Sequence, residues 1–175
     1  MRKLLPLLLL FSLESCQTNS RTMTELPKKT ELPKKTELIT PSGKIIKTTL
    51  AITLKDQEQG LSGVKPGDFD DDQGMLFYYL EEDEKHFWMP DTYFDLDLIY
   101  LDKNFKVVDI IRKLPHYKGR ANPNLIPRAR PVWSRHALEM KASSKISQEI
   151  KEGDQLKWRL ELSTQELDDK IRQQL

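Results

Sequence analysis

The chain has 175 residues, with 28 lysines and arginines against 27 aspartates and glutamates and a single cysteine. The near-balanced charge supplies no field for nucleic acid, and one cysteine excludes an internal disulfide framework. With 38% hydrophobic residues there is material for one small core.

At the N-terminus, Arg2 and Lys3 precede an apolar run over residues 4–13. That length suits the core of a signal peptide and is too short to span a bilayer. A signal peptide is therefore expected over residues 1–15. Leu13-Glu14-Ser15-Cys16 resembles a bacterial lipobox, which implies cleavage before Cys16 and lipidation of its sulfur. Glu14 departs from the small or apolar residue usual there, and an ordinary signal peptide with an incidental cysteine is the alternative. The membrane is thus an expected partner, reached through a lipid anchor on Cys16; acyl chains contribute ~0.8 kcal/mol per buried methylene. Gln17 follows the cysteine where an aspartate favours inner-membrane retention. The resemblance therefore implies an exported, outer-membrane lipoprotein facing the periplasm or the surface, if the cell has two membranes.

Residues 16–43 read as a disordered tether. TELPKK occurs at 24–29 and again at 30–35, and Thr36-Glu37-Leu38 starts a third copy. Pro27, Pro33 and Pro41 each remove a backbone donor and disfavour helix before them. An extended chain of roughly 25 such residues reaches about 75 Å at ~3.1 Å per residue.

Residues 44–162 carry the domain. Leu50, Ile52 and Leu54 alternate with polar or small neighbours, as do Leu156, Trp158, Leu160 and Leu162, so both runs predict half-buried strands. Residues 75–80 (MLFYYL), 96–101 and 105–111 predict further strands, the last two joined through Asp102-Lys103-Asn104 as a hairpin. Residues 57–61 suit a single helical turn. Ser143 or Ser144 can cap a short helix ending near Gly153. Ser163 and Glu166 form a capping box that opens a helix within 163–175, with a thin apolar stripe of Leu167 and Ile171. The prediction is a mainly β single domain, a β-sandwich or jelly-roll-like fold with few short helices.

Certain landmarks recur in fixed order: Gln59-Gly60-Leu61, Gly74-Met75-Leu76-Phe77, Phe87-Trp88-Met89, Thr92, Leu96-Asp97, Leu138-Glu139 and Gly153-Asp154. In these the chain resembles the DUF192 family of small, often exported bacterial and archaeal proteins without an assigned function. The resemblance covers about residues 48–160 and implies a jelly-roll-like sandwich, but no reaction. Pro90 and Asp91 stand where the family usually carries lysine and asparagine, Asp95 where it carries proline, and residues 140–144 (MKASS) where a glycine is common.

Several groups invite a chemical reading. Asp68, Asp70 and Asp72 match the first ligands of an EF-type calcium loop, but Gly74 falls one residue late and the twelfth position is Tyr79. The stretch reads instead as a charged turn ending at a glycine with an unusual backbone, and no metal site is expected. His86, His116 and His136 are scattered, and no nucleophile elbow, phosphate loop or dinucleotide fingerprint occurs, so no cofactor is implied. In the run Phe87-Trp88-Met89, Trp88 points away from its neighbours, toward core or a groove. Trp88, Met89, Thr92 and Asp97 form the candidate ligand-binding set. Asp97 lies among apolar residues and needs a partner, for which Arg112, Arg135 and Thr92 are available. Asp97 and Glu139 are the candidate catalytic pair, competing with a reading in which both only fix strand ends.

Residues 112–135 hold seven lysines, arginines and histidines up to Arg130, then Arg135, with Tyr117 and Trp133 interleaved. They suit a solvated loop or a grip on an anionic envelope polymer. The leading functional reading is a binding or accessory lipoprotein for a glycan or other envelope component. The alternative is an envelope hydrolase using Asp97 and Glu139. A third is an interaction module with the terminal helix as its docking element.

Overall fold

A computed structural model describes residues 31–174. The expected signal peptide, the lipidation of Cys16 and the first part of the tether lie outside those residues. Among the described residues the chain forms nine strands: β1 (Lys35–Ile39), β2 (Ile45–Ala51), β3 (Gln73–Phe77), β4 (Asp83–Lys85), β5 (Leu96–Leu101), β6 (Val107–Leu114), β7 (Val132–Ser134), β8 (His136–Lys141) and β9 (Lys157–Arg159). Three short helices accompany them: α1 (Leu54–Gln59), α2 (Lys145–Glu149) and α3 (Thr164–Arg172).

Seven strands make one sheet in the order β6-β5-β8-β3-β2-β1-β9, and β4 and β7 form a separate ribbon. The large sheet curls until its two edges meet. Lys106 bridges Gln155, and the Leu156 N–H donates to the Phe105 carbonyl at 3.0 Å. Curling gives the sheet an inside and an outside, each with its own apolar cluster. Leu38, Ile46, Leu76, Ile99, Leu101, Leu138, Met140 and Leu156 fill the inside. Phe77, Phe87, Met89, Leu96, Leu98, Tyr100 and Ala137 pack on the outside, toward the ribbon. The domain is therefore mainly β, as the period-two runs predict.

The domain begins earlier than the sequence suggests. Residues 35–39 were expected in the tether, yet β1 pairs with β2 on one side and β9 on the other, and Leu38 is fully buried. The third TEL copy lacks the proline of the first two, so its backbone donors stay available for the ladder. At the next strand, β2 stops at Ala51, because the Thr53 hydroxyl accepts the Asp56 N–H at 3.1 Å and caps α1. Leu54, expected on a strand, becomes an exposed first-turn residue. Likewise the run 156–162 keeps its alternation, but only residues 157–159 pair with β1, since β9 is an edge and the chain then turns into α3.

Gly74 also departs from expectation. It sits inside β3 rather than in a turn and is not among the glycines with positive φ. Its role is space: a Cβ there meets Leu138 Cδ1 at 2.8 Å and Ile46 Cγ2 at 3.1 Å. The preceding aspartates do form a turn. Asp72 pairs with Lys47 at 2.6 Å, and the Ser143 hydroxyl lies 3.2 Å from an Asp71 carboxylate oxygen. The capping box of Ser163 and Glu166 is present. Helix α3 is not loose: Leu167 and Ile171 join the inner cluster, and Asp168 accepts from the Tyr78 hydroxyl at 2.6 Å and from Arg135 at 2.7 Å.

Candidate functional site

The central strands β5 and β8 decide where polar side chains meet. In their register Leu98 of β5 stands opposite Glu139 of β8, and Asp97 stands opposite Met140. Partners across a ladder point to the same face, and neighbours along a strand point to opposite faces. Asp97 therefore enters the inside of the curl and Glu139 the outside. The paired-carboxylate arrangement expected for a hydrolase does not form.

Asp97 is a structural group. Its carboxylate accepts from Arg112 at 2.6 Å, from the Ser147 hydroxyl at 2.7 Å and from the Lys113 N–H at 2.9 Å. Arg112 also donates to the Ser147 and Ile150 carbonyls at 2.9 and 2.5 Å. Together these bonds fasten α2 to the sheet. Asp97 thus leaves the candidate ligand-binding set; of the three partners proposed from sequence, Arg112 is the one used.

Glu139 has a different setting. It is only 4% exposed, and its Oε2 is buried without a hydrogen-bond partner. Burial alone pushes its carboxyl up from 4.5 to about 8, because desolvation disfavours the charged form. It lies in the wall of a recess of about 90 Å³. Phe77 and Tyr79 line the recess from β3 and the residue stretch after it. Gln57, Gln59, Gly60 and Ser62 line it on one side, and His86, Phe87, Trp88, Pro90 and Thr92 on the other.

These two side walls are tied together. The Ser62 hydroxyl donates to the Pro90 carbonyl at 2.6 Å, and the Gly63 N–H donates to the Asp91 carbonyl at 2.8 Å. Thr92 holds its own wall: its hydroxyl donates to the Met89 carbonyl at 3.0 Å and accepts the Tyr117 N–H at 3.0 Å. Gly60 turns α1 into the recess with φ +48°, and a Cβ there meets Phe77 Cζ at 3.2 Å. Phe77 and Phe87 meet edge to face at 4.9 Å. A recess braced in this way is preformed, which lowers the ordering cost of binding.

Of the ligand-binding candidates, Trp88 and Thr92 line the recess, whereas Met89 is buried in the outer core. Trp88 is 41% exposed and its ring lies 5.2 Å from the Arg128 guanidinium. Phe77, Tyr79 and the Gln57–Ser62 wall were not singled out as site residues from sequence. Their signal was present: Gln59-Gly60-Leu61, Phe77, Phe87-Trp88, Thr92 and Glu139 are all landmarks of the family resemblance, and they converge here. Pro90, where the resemblance leads one to expect lysine, lines the same recess.

A larger hollow of about 640 Å³ lies over Lys35, Glu37, Lys47 and Arg159. Two of its cations are matched: Arg159 pairs with Glu37 at 3.1 Å, and Lys47 with Asp72. No buried unpaired polar atom is among its lining residues. The basic stretch 112–135 is partly engaged. Arg112, Arg130 and Arg135 hold Asp97, Asp109 and Asp168, and His116 lies 2.7 Å from Asp95. Among the described residues no group of three or more histidine, cysteine, aspartate or glutamate side chains could hold a metal ion.

A curled, mainly β domain with one tight, acid-bearing recess is the class that fold and site define. Residues 37–158 match the profile of DUF192, described as uncharacterized ACR, and the chain belongs to this family. Two solved structures are similar. One is a protein of unknown function from Novosphingobium aromaticivorans DSM 12444, 25% identical over 71% of this chain and 84% of that one, with a TM-score of 0.56. The other is a Sinorhizobium meliloti 1021 protein that carries transcription regulator as a provisional label. It is 26% identical over 71% of this chain and 92% of that one, with a TM-score of 0.54. No functionally curated protein matches the chain.

Proposed function

We propose that the chain is an exported binding or accessory lipoprotein, held to a membrane through Cys16, whose recess beside Trp88 and Glu139 binds a small ligand or an exposed group of an envelope polymer. The observation that supports this most is the Glu139 carboxylate, buried with one oxygen unpartnered at a preformed recess. A buried polar atom without a partner costs about 1–3 kcal/mol, which a ligand that completes its bonding recovers. Binding is favoured over hydrolysis because Asp97 and Glu139 stand on opposite faces of the sheet. A grip on an anionic polymer by residues 112–135 is less favoured, since three arginines there already hold carboxylates. The same pairing, with a net charge of +1, argues against a nucleic-acid role.

The test has two arms. A thermal-shift panel of cationic, neutral and anionic small molecules, with soluble glycan fragments, is run on the wild type and on Trp88→Ala. The expected result is at least one compound that stabilises the wild type and has lost that effect in the variant. A panel in which nothing distinguishes the two chains refutes the recess. For the anchor, labelled acyl precursor is expected on the wild type and not on Cys16→Ser; an unlabelled wild type refutes it.

A further inference from the structure

This inference rests on the binding reading and names the ligand's chemistry. We infer that the recess receives the ammonium or guanidinium head of a small organic cation, with Glu139 as counter-ion and Phe77, Phe87 and Trp88 as aromatic walls. Charge is the first ground. Among the described residues that line the recess, Glu58 and Glu139 are carboxylates and none is a lysine or arginine. Size is the second. About 90 Å³ equals the liquid volume of roughly three waters, which suits a head group and is far below a drug-sized pocket of about 300–1,000 Å³. Bonding is the third. Aromatic faces attract cations, most strongly where water is excluded, and the unpartnered Glu139 Oε2 lacks a donor that a cation supplies.

The nearby cations stand behind the walls and are already engaged. Lys85 lies over the Tyr79 ring at 3.7 Å and pairs with Asp83; Arg128 lies by Trp88. The remaining titratable groups facing Glu139 are Tyr79 and, from β5, Tyr100, with Glu58 and His86 at the recess itself. Burial keeps the Glu139 carboxyl protonated up to about pH 8, so a cation has to displace that proton. Apparent affinity then falls about 100-fold from pH 9 to pH 6.

The full chain is titrated with methylammonium, guanidinium and tetramethylammonium chlorides; sodium chloride, acetamide and sodium acetate are the controls. Tryptophan fluorescence and calorimetry in buffers of different ionisation heat report binding and proton release. Saturable binding of an organic cation is expected, with close to one proton released per cation at pH 6 and the stated weakening toward acid. Glu139→Gln, shown to be folded by its thermal transition, is expected to lose it. Retained cation binding in Glu139→Gln, or cation binding independent of pH, overturns the inference. Saturation by acetamide or acetate at a site sensitive to Trp88→Ala, with the cations inert, overturns it and leaves the binding reading standing. No response to any of the organic cations overturns the inference, while the binding reading stands or falls on the thermal-shift panel.

Discussion

Replacing Glu139 by glutamine separates the cost of burying this acid from everything else in the domain. Glutamine keeps the shape and cannot ionise. In the folded chain the Glu139 carboxyl titrates at about 8, against 4.5 for an exposed glutamate. A raised acid pKa means that the folded state holds its proton longer than the unfolded state does. Stability is therefore fully present below pH 4.5 and is lost as pH rises through 8. At about 1.4 kcal/mol per pH unit, the loss is about 3 kcal/mol at pH 7 and about 5 kcal/mol above pH 8. Glu139→Gln is expected to match the wild type near pH 4 and to exceed it by about 3 kcal/mol at pH 7. In urea that is a midpoint shift of about 1.5 M for a slope of about 2 kcal/mol/M. Urea titrations from pH 4 to 9 provide the measurement. Parallel pH profiles for the two chains, or a variant weaker than the wild type at pH 7, would refute the reasoning, because either result means that the ionised carboxylate already has a partner.

The acid side of the same profile belongs to His136. Its imidazole is buried against Phe105, accepts the Tyr79 N–H at 3.3 Å through Nδ1, and is pushed down from 6.5 to about 3 by burial, then by Arg135 and Lys85. A lowered histidine pKa places its stability above pH 6.5 and removes it as pH falls through 3, so wild-type stability should level off between pH 4.5 and 6.5, whereas Glu139→Gln should keep rising to pH 6.5 and then stay flat. Arg112→Met leaves the Asp97 carboxylate buried without its cation and is expected to cost about 3 kcal/mol in chemical denaturation; a loss under 1 kcal/mol contradicts that account. Gly74→Ala drives a Cβ into Leu138 and should cost about 1–3 kcal/mol by the same measurement, whereas a neutral result means the strands separate easily. Asp168→Ala removes the acceptor of both Tyr78 and Arg135, so amide exchange in α3 should accelerate at least tenfold while the central strands β5 and β8 stay protected; equal acceleration in both regions argues that the helix is integral to the core.

Much of the architecture was legible because it depends on residues a few positions apart. The short apolar run at 96–101 specified β5, which is buried on both faces. Asp102 shaped the hairpin after it, its carboxylate accepting the Asn104 and Lys106 N–H groups at 2.7 and 2.9 Å. Ser144 and Ser163 announced the starts of α2 and α3 through caps that each span three residues. The ordered landmarks identified the family for the same reason, since they are local strings.

What the sequence alone left open concerns register and closure, which join residues far apart in the chain. Nothing within residues 35–39 says that a place exists between β2 and β9, so their strand read as tether. Nothing near Gly74 reveals that Leu138 and Ile46 fill the space a side chain needs. Asp97 and Glu139 read alike, each an acid beside a leucine. A one-residue offset in the β5–β8 ladder sends one inward to Arg112 and the other outward to an unpartnered recess. Strand side chains alternate with period two, so the sequence states that neighbours face opposite ways but not which way is in. Only the curl of the sheet settles that, and with it which of the two acids is left without a partner.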